Sequence, residues 1–294
     1  MLNKACAATG AVHKEIPVNL SFATPSEFLA QVEQALPPHV RFAVVDHITS
    51  NTGLLLPVRE LVTMLRAKGA LVLVDGAHAL GQLSLDVAAI DADFYVGNCH
   101  KWLSSPRGCG FMHVVRRHQG LVKPTVISHG HGNGFTSEFI WDGNRDYAPQ
   151  LSLRGLLAFW RRADIAKARH YAFDLCRRAA ELMTSRWGGS EFAPEGMRGC
   201  MALVPLPEIR GLSEGRELTS GDACTLQDIL HHHYHVEVPV KLLRGRLWIR
   251  LSAWVYNDDA DYSVVAAAID DLAATGISIK EGTQGGGPGC KSGG

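Results

Sequence analysis

Short apolar runs alternate with helix-period stretches over the first 115 residues. Residues 1–12 read as the tail of a small-residue helix ending at Gly10, and EIPVNLSF reads as a strand. Thr24 and Pro25 then open a segment whose apolar positions Phe28, Leu29, Val32 and Leu36 recur at helical spacing until Pro37 and Pro38 stop it. RFAVVDH is a short buried strand, and HITSNTG after it is a polar loop with a turn glycine. Pro57 opens a second helix, with Val58, Leu61, Val62 and Leu65 on one face and Gly69 at its end. The stretch 71–115, LVLVDGAHALGQLSLDVAAIDADFYVGNCHKWLSSPRGCGFMHVV, follows. It predicts a strand ending in Asp75, a second strand over 93–97 leading into Asn98, His100 and Lys101, and a third from Cys109. Strands alternating with helices predict an α/β fold with a mainly parallel sheet.

Residues 115–150 are irregular, with HGHGNGF followed by FIWDGNRD, and a loop of that length in a compact domain is usually functional or disordered. From Leu151 to about Trp187 the pattern predicts one long amphipathic helix, a rod joining two domains. Beyond it CMALVPL, VEVPV and RLWIRLSAW predict strands, and two helical stretches, one ending in HHHYH and one over YSVVAAAIDDLAA, complete a small α+β domain. The expected organisation is a large domain over 1–165, a small domain with its linking helix over 166–280, and a disordered Gly-rich tail over 281–294.

Composition narrows the function. With 29 basic and 29 acidic residues in 294, no global field draws the chain to nucleic acid or to an anionic membrane. No apolar run reaches the roughly 18 residues of a membrane span. Seven scattered cysteines without CxxC spacing, and no secretory signal, predict free thiols and a cytoplasmic protein.

In an open α/β sheet, ligands bind at the carboxyl ends of the strands, so Asp75 and Lys101 are expected to face one ligand. A lysine desolvated beside Phe94 and Trp102 suits imine formation, because burial lowers the ammonium pKa and frees the lone pair. Asp75 needs a cationic partner, and a protonated pyridine nitrogen supplies one. Pyridoxal 5'-phosphate meets both requirements. His78 and His100 stand within reach of its ring oxygen or phosphate, and Asn98 can donate to the phosphate. Arg250 lies on an apolar strand, where an unpaired guanidinium is costly, so it calls for a substrate carboxylate or for Glu237. HHHYH places His231 and His235 on one helix face, but zinc needs further ligands, and histidines near a helix C-terminus are favoured by the dipole. No cysteine lies between Cys224 and Arg250, which disfavours a persulfide route.

VDGAHALGQ, ADFYVGNCHKW and RGCGFMHV resemble the class V aminotransferase family of fold type I pyridoxal phosphate enzymes, in particular its isopenicillin N epimerase-like branch. The resemblance covers about residues 1–280. It implies the PLP-transferase fold type I, with a mainly parallel central sheet and a C-terminal α+β small domain. It also implies that Lys101 forms the internal aldimine, Asp75 holds the pyridine nitrogen, His78 contacts the ring oxygen, and Asn98 and His100 hold the phosphate. IRLSAWVYN matches the segment whose arginine, here Arg250, binds the substrate carboxylate. Ser50 stands where many relatives place an asparagine near the ring. FIWDGNRD matches a segment that reaches the phosphate across a homodimer, with Asn144 in place of its second threonine.

Family members carry a further stretch before this Met1, including a phosphate-binding turn, so the resemblance implies an N-terminally incomplete large domain and weakened cofactor binding. The implied activity is on an amino acid substrate: Cα proton removal by Lys101 to a quinonoid, then epimerisation or C–S elimination. The alternative is a catalytically silent, truncated paralogue with a dimerising or regulatory role. The retained Asp75, His78, His100, Lys101 and Arg250 oppose it.

Overall fold

The computed structural model describes residues 2–213 and 215–277, so the tail over 281–294 lies outside the described residues. The chain runs α1 (Leu2–Thr9), α2 (Pro25–Ala35), β1 (Phe42–Asp46), α3 (Val58–Ala67), β2 (Leu71–Asp75), α4 (Val87–Ile90), β3 (Phe94–Asn98) and β4 (Gly110–Val114). It continues through α5 (Phe135–Ile140), α6 (Ala148–Leu151), α7 (Leu153–Ala163), α8 (Ile165–Trp187), β5 (Met201–Pro205), α9 (Ser220–Tyr234), β6 (Val240–Leu243), β7 (Arg246–Ser252) and α10 (Asp259–Thr275).

Strands β1, β2 and β3 are parallel neighbours, and β4 closes the four-stranded sheet antiparallel to β3. The register sets Asp46 beside Asp75, so two carboxylates share the carboxyl edge. Helix α3 turns Val58, Val62 and Leu65 onto Val72, Val74 and Tyr95, a core that keeps the strands in this register because a one-residue slip would turn every side chain over. At the opposite edge Asp93, buried at 2% exposure, accepts from the Val72 N–H and from Arg117, which pins β2 to β3.

The second sheet is antiparallel, in the order β5-β7-β6, and packs with α8, α9 and α10 around Val204, Ile249, Leu226 and Ile269. Between the two sheets lies a third cluster, in which Trp102, Trp160, Met201 and Trp254 meet Ile48.

The structure corrects three expectations. EIPVNLSF is irregular: Ile16, Val18 and Leu20 pack on the Phe28–Val32 cluster, but Pro17 has no N–H to give a ladder. The strand expected from Cys109 is β4, which after an eleven-residue connection pairs antiparallel with β3 and leaves the sheet mainly parallel, as expected. The long helix is two helices, α7 and α8, broken at Asp164 (φ 59°), whose carboxylate accepts from the Ala166 and Lys167 N–H groups and caps the second. Strand β6 begins at Val240, where VEVPV ends. Cys6, Cys99, Cys109, Cys176 and Cys200 are free thiols, whereas Cys224 is disulfide-bonded.

Candidate active site

The carboxyl edge of the first sheet gathers most of the side chains singled out in the sequence. Asp75 ends β2, and its Oδ1 accepts from the Ala77 N–H at 2.9 Å, which fixes the carboxylate at the mouth of the turn. Gly76 follows because nothing larger fits: a Cβ there would lie 2.1 Å from the Tyr95 hydroxyl. That hydroxyl is in turn 2.8 Å from His47 Nδ1, directly behind the edge.

His78 reaches forward, with Nε2 3.1 Å from Lys101 Nζ, while the Trp102 indole N–H donates to its Nδ1 at 3.2 Å. The segments carrying His78 and Lys101 touch through Gly81 (φ 92°), where a Cβ would come within 2.8 Å of the Trp102 and Leu103 backbone. Asn98 ends β3 opposite Gly110, and His100 Nδ1 donates to the Cys109 carbonyl at 3.0 Å, leaving Nε2 open to a ligand.

Arg250 comes from β7 in the other sheet. Its Nη1 donates to the Ser50 carbonyl, and its buried Nε has no partner among the described residues. No carboxylate pairs with it there either: Glu237 lies 2.8 Å from His231 instead. Ser50 therefore meets the site through its backbone. Asn144 is exposed, in a loop closed by Asp142 bonds to Arg145 and Tyr147, and no hydrogen bond among the described residues joins it to the Lys101 group.

The electrostatics follow from burial. Desolvation lowers the Lys101 pKa below its ordinary value; Asp75 and Asp46 oppose this and Arg250 adds to it. Burial, helped by the Lys101 and Arg250 charges, pushes His78 down to about 4, so its imidazole is neutral at neutral pH. Burial and the neighbouring Asp75 raise Asp46. The sequence reading missed Asp46, although it ends a strand just as Asp75 does. It also missed the contacts of Trp102 and Gln82, for which the sequence carries no signal.

Among the described residues no group of three or more His, Cys, Asp or Glu side chains, those of HHHYH included, is placed to hold an ion. The hollow between α2 and α3, lined by Glu33, Arg59, Thr63 and Lys68, contains none of the site side chains.

Residues 2–137, which include all of this edge except Arg250, match the family model for aminotransferase class-V. That stretch belongs to the class V aminotransferase family. Among curated relatives, the chain is 35% identical over 289 residues to an L-cysteine desulfhydrase of Arabidopsis thaliana, covering 90% of this chain and 62% of the relative. It is 31% identical over 265 residues to an isopenicillin N epimerase of Streptomyces clavuligerus, covering 84% and 64%. The chain thus spans less than two thirds of the length of these relatives. Among solved structures, the apo cysteine desulfurase of Thermococcus onnurineus NA1 superposes with a TM-score of 0.72 at 17% identity, covering 93% of this chain and 69% of that one. The fold is therefore that expected from the class V resemblance, a parallel-rich α/β sheet followed by a small α+β unit.

Proposed function

We propose that this chain binds pyridoxal 5'-phosphate and acts on an amino acid as a C–S lyase or an epimerase. The observation that carries the reading is the convergence on one edge of a half-buried lysine, a strand-end aspartate and a half-buried arginine whose buried Nε has no partner among the described residues. A desolvated guanidinium without a carboxylate is costly unless a ligand supplies one.

The residues fit the group. When bound, pyridoxal phosphate supplies an electrophilic aldehyde carbon and a pyridinium ring that accepts electrons. Asp75 would hold the ring N–H, His78 Nε2–H the ring oxygen, and Asn98 with His100 the phosphate. Arg250 orients the substrate carboxylate, which its planar fork meets with two parallel hydrogen bonds. Lys101, with its lowered pKa, takes the Cα proton and can return it. Return on the opposite side gives epimerisation, whereas loss of a β-sulfur substituent gives lysis. The relatives' names include both outcomes.

The chain pairs as a homodimer in this reading. Ile127, Ile140 and Leu151 are 74%, 74% and 76% exposed, and such apolar surface supports a partner there. A cytoplasmic location is part of this reading: the buried thiols of Cys99, Cys109, Cys176 and Cys200 support it, and the Cys224 disulfide opposes it. Among the described residues no helix is long and apolar enough to cross a membrane.

The test is an absorption spectrum of the purified chain after incubation with pyridoxal phosphate and dialysis, beside Lys101→Ala. A dialysis-resistant visible band that is lost in the variant is the expected result. A folded wild-type chain without that band sinks the reading.

A further inference from the structure

The contacts in line from Trp102 through His78 to Lys101 fix where the protons are. An indole Nε1–H can only donate, so His78 Nδ1, 3.2 Å away, must present its lone pair. A neutral imidazole that accepts at Nδ1 carries its hydrogen on Nε2. Nε2 faces Lys101 Nζ at 3.1 Å, and two donors cannot share one contact. The lysine nitrogen must therefore offer a lone pair, which an ammonium does not have.

We propose that Trp102 is a positioning residue that selects the Nε2–H tautomer of His78 and thereby holds Lys101 as the free amine before any cofactor arrives. Its use rests on the carbonyl-cofactor reading above, because a free amine is the form that attacks an aldehyde.

Neither ring can turn away. Trp102 is 8% exposed and meets Trp254 edge-on, with centroids 5.6 Å apart and an interplanar angle of 84°. Trp254 lies against Trp160 at 5.8 Å, and the Trp160 indole donates to the Leu103 carbonyl at 2.8 Å, one residue past Trp102. The main chain of His78 is held by the Gln82 amide, which donates to its carbonyl at 2.9 Å. A flipped imidazole would leave the buried indole N–H without an acceptor.

The charges around Lys101 come from three strands. Asp75 on β2 and Asp46 on β1 favour the ammonium, and Arg250 on β7 opposes it. The relay acts against the two carboxylates. Burial of His78, which keeps its ring neutral, works in the same direction.

The experiment uses the full chain without cofactor. Long-range proton–nitrogen NMR of the 15N-labelled protein reads the His78 tautomer, assigned by its loss in His78→Gln. Competitive acetylation across pH, followed by mass spectrometry of the Lys101 peptide, reads the amine. Wild type is expected to show Nε2–H alone. Trp102→Phe, which keeps a ring against Trp254 but has no N–H, is expected to show both tautomers and Lys101 acetylation at neutral pH slowed up to about tenfold, the effect of a one-unit pKa shift. An Nδ1–H tautomer in wild type overturns the proposal, as does a Trp102→Phe acetylation profile that superposes on wild type. If Trp102→Phe does not fold, the wild-type tautomer decides alone. Adding pyridoxal phosphate to the same samples separates the two ideas: the Nε2–H tautomer without a visible band keeps the relay and sinks the cofactor reading.

Discussion

Along the carboxyl edge of the four-stranded sheet the contacts join residues far apart in sequence: Lys101 to His78, Arg250 to Ser50 and Gln82 to Cys200. Between residues 123 and 147 they close on near neighbours. Glu138 takes Lys123 and the Gly132 N–H, while Asp142 takes Arg145 and Tyr147. The first region half-buries most of its polar groups and, among the described residues, leaves one guanidinium nitrogen unmatched. The second leaves Ile127, Ile140 and Trp141 to solvent. In the proposed reading the edge meets a small charged ligand, and the loop meets the partner subunit.

The change with the largest expected effect breaks the edge outright: Lys101→Ala removes both the cofactor's visible band and turnover, and residual turnover would refute the assignment. Next comes pH. His47 and His78 are each held by burial at about 4, against an ordinary 6.5, so above pH 6.5 both are neutral in either state. As pH falls from 6.5 toward 4 the unfolded chain takes up protons that the folded chain refuses, and stability is lost at up to about 3 kcal/mol per histidine. Urea midpoints at pH 7.5 and pH 5 check this; His47→Gln should halve the difference, and a pH-independent wild-type midpoint contradicts it.

Gly81→Ala tests the close approach that sets Lys101 against His78. The positive φ and the crowded Trp102–Leu103 backbone should together cost about 3 kcal/mol, read as a lower urea midpoint with weaker cofactor retention. Arg250→Ala sharpens the division of labour within the edge. It should lower kcat/KM for the amino acid about 30-fold, the equivalent of one charged hydrogen bond of about 2 kcal/mol, while leaving the visible band in place. Loss of the band instead would place Arg250 at the cofactor. The smallest effect on folding belongs to the loop. Ile140→Ser should shift monomer stability by less than about 0.5 kcal/mol and yet weaken self-association, as sedimentation would show. An unchanged association state removes that surface from the interface.

Much of the edge was legible because strand ends are legible. An apolar run that stops at an acid, as at Asp75, or runs into Asn98, His100 and Lys101, announces where the sheet meets a ligand. The same logic would have found Asp46 at the end of β1. What escaped were features with no periodic signature. The break at Asp164 lies inside a pattern that is amphipathic on both sides, and a single left-handed residue leaves that pattern intact. EIPVNLSF alternates as a strand should, yet packing on α2 took its side chains without giving its backbone a ladder. The Trp102 bond to His78 depends on how two buried rings turn, which spacing does not encode.

The two hydrogen bonds of Gln82 have a mechanical consequence. Its amide nitrogen holds the His78 carbonyl at 2.9 Å and its oxygen holds the Cys200 N–H at 2.6 Å, one residue before β5. One side chain thus works as a tie-rod between the antiparallel sheet that bears Arg250 and the turn that bears the imidazole. If a substrate tilts that sheet, it either drags His78 along or snaps the rod. In the first case, whatever tightens the grip at one end must tighten it equally at the other, since coupling between two ligand contacts is reciprocal.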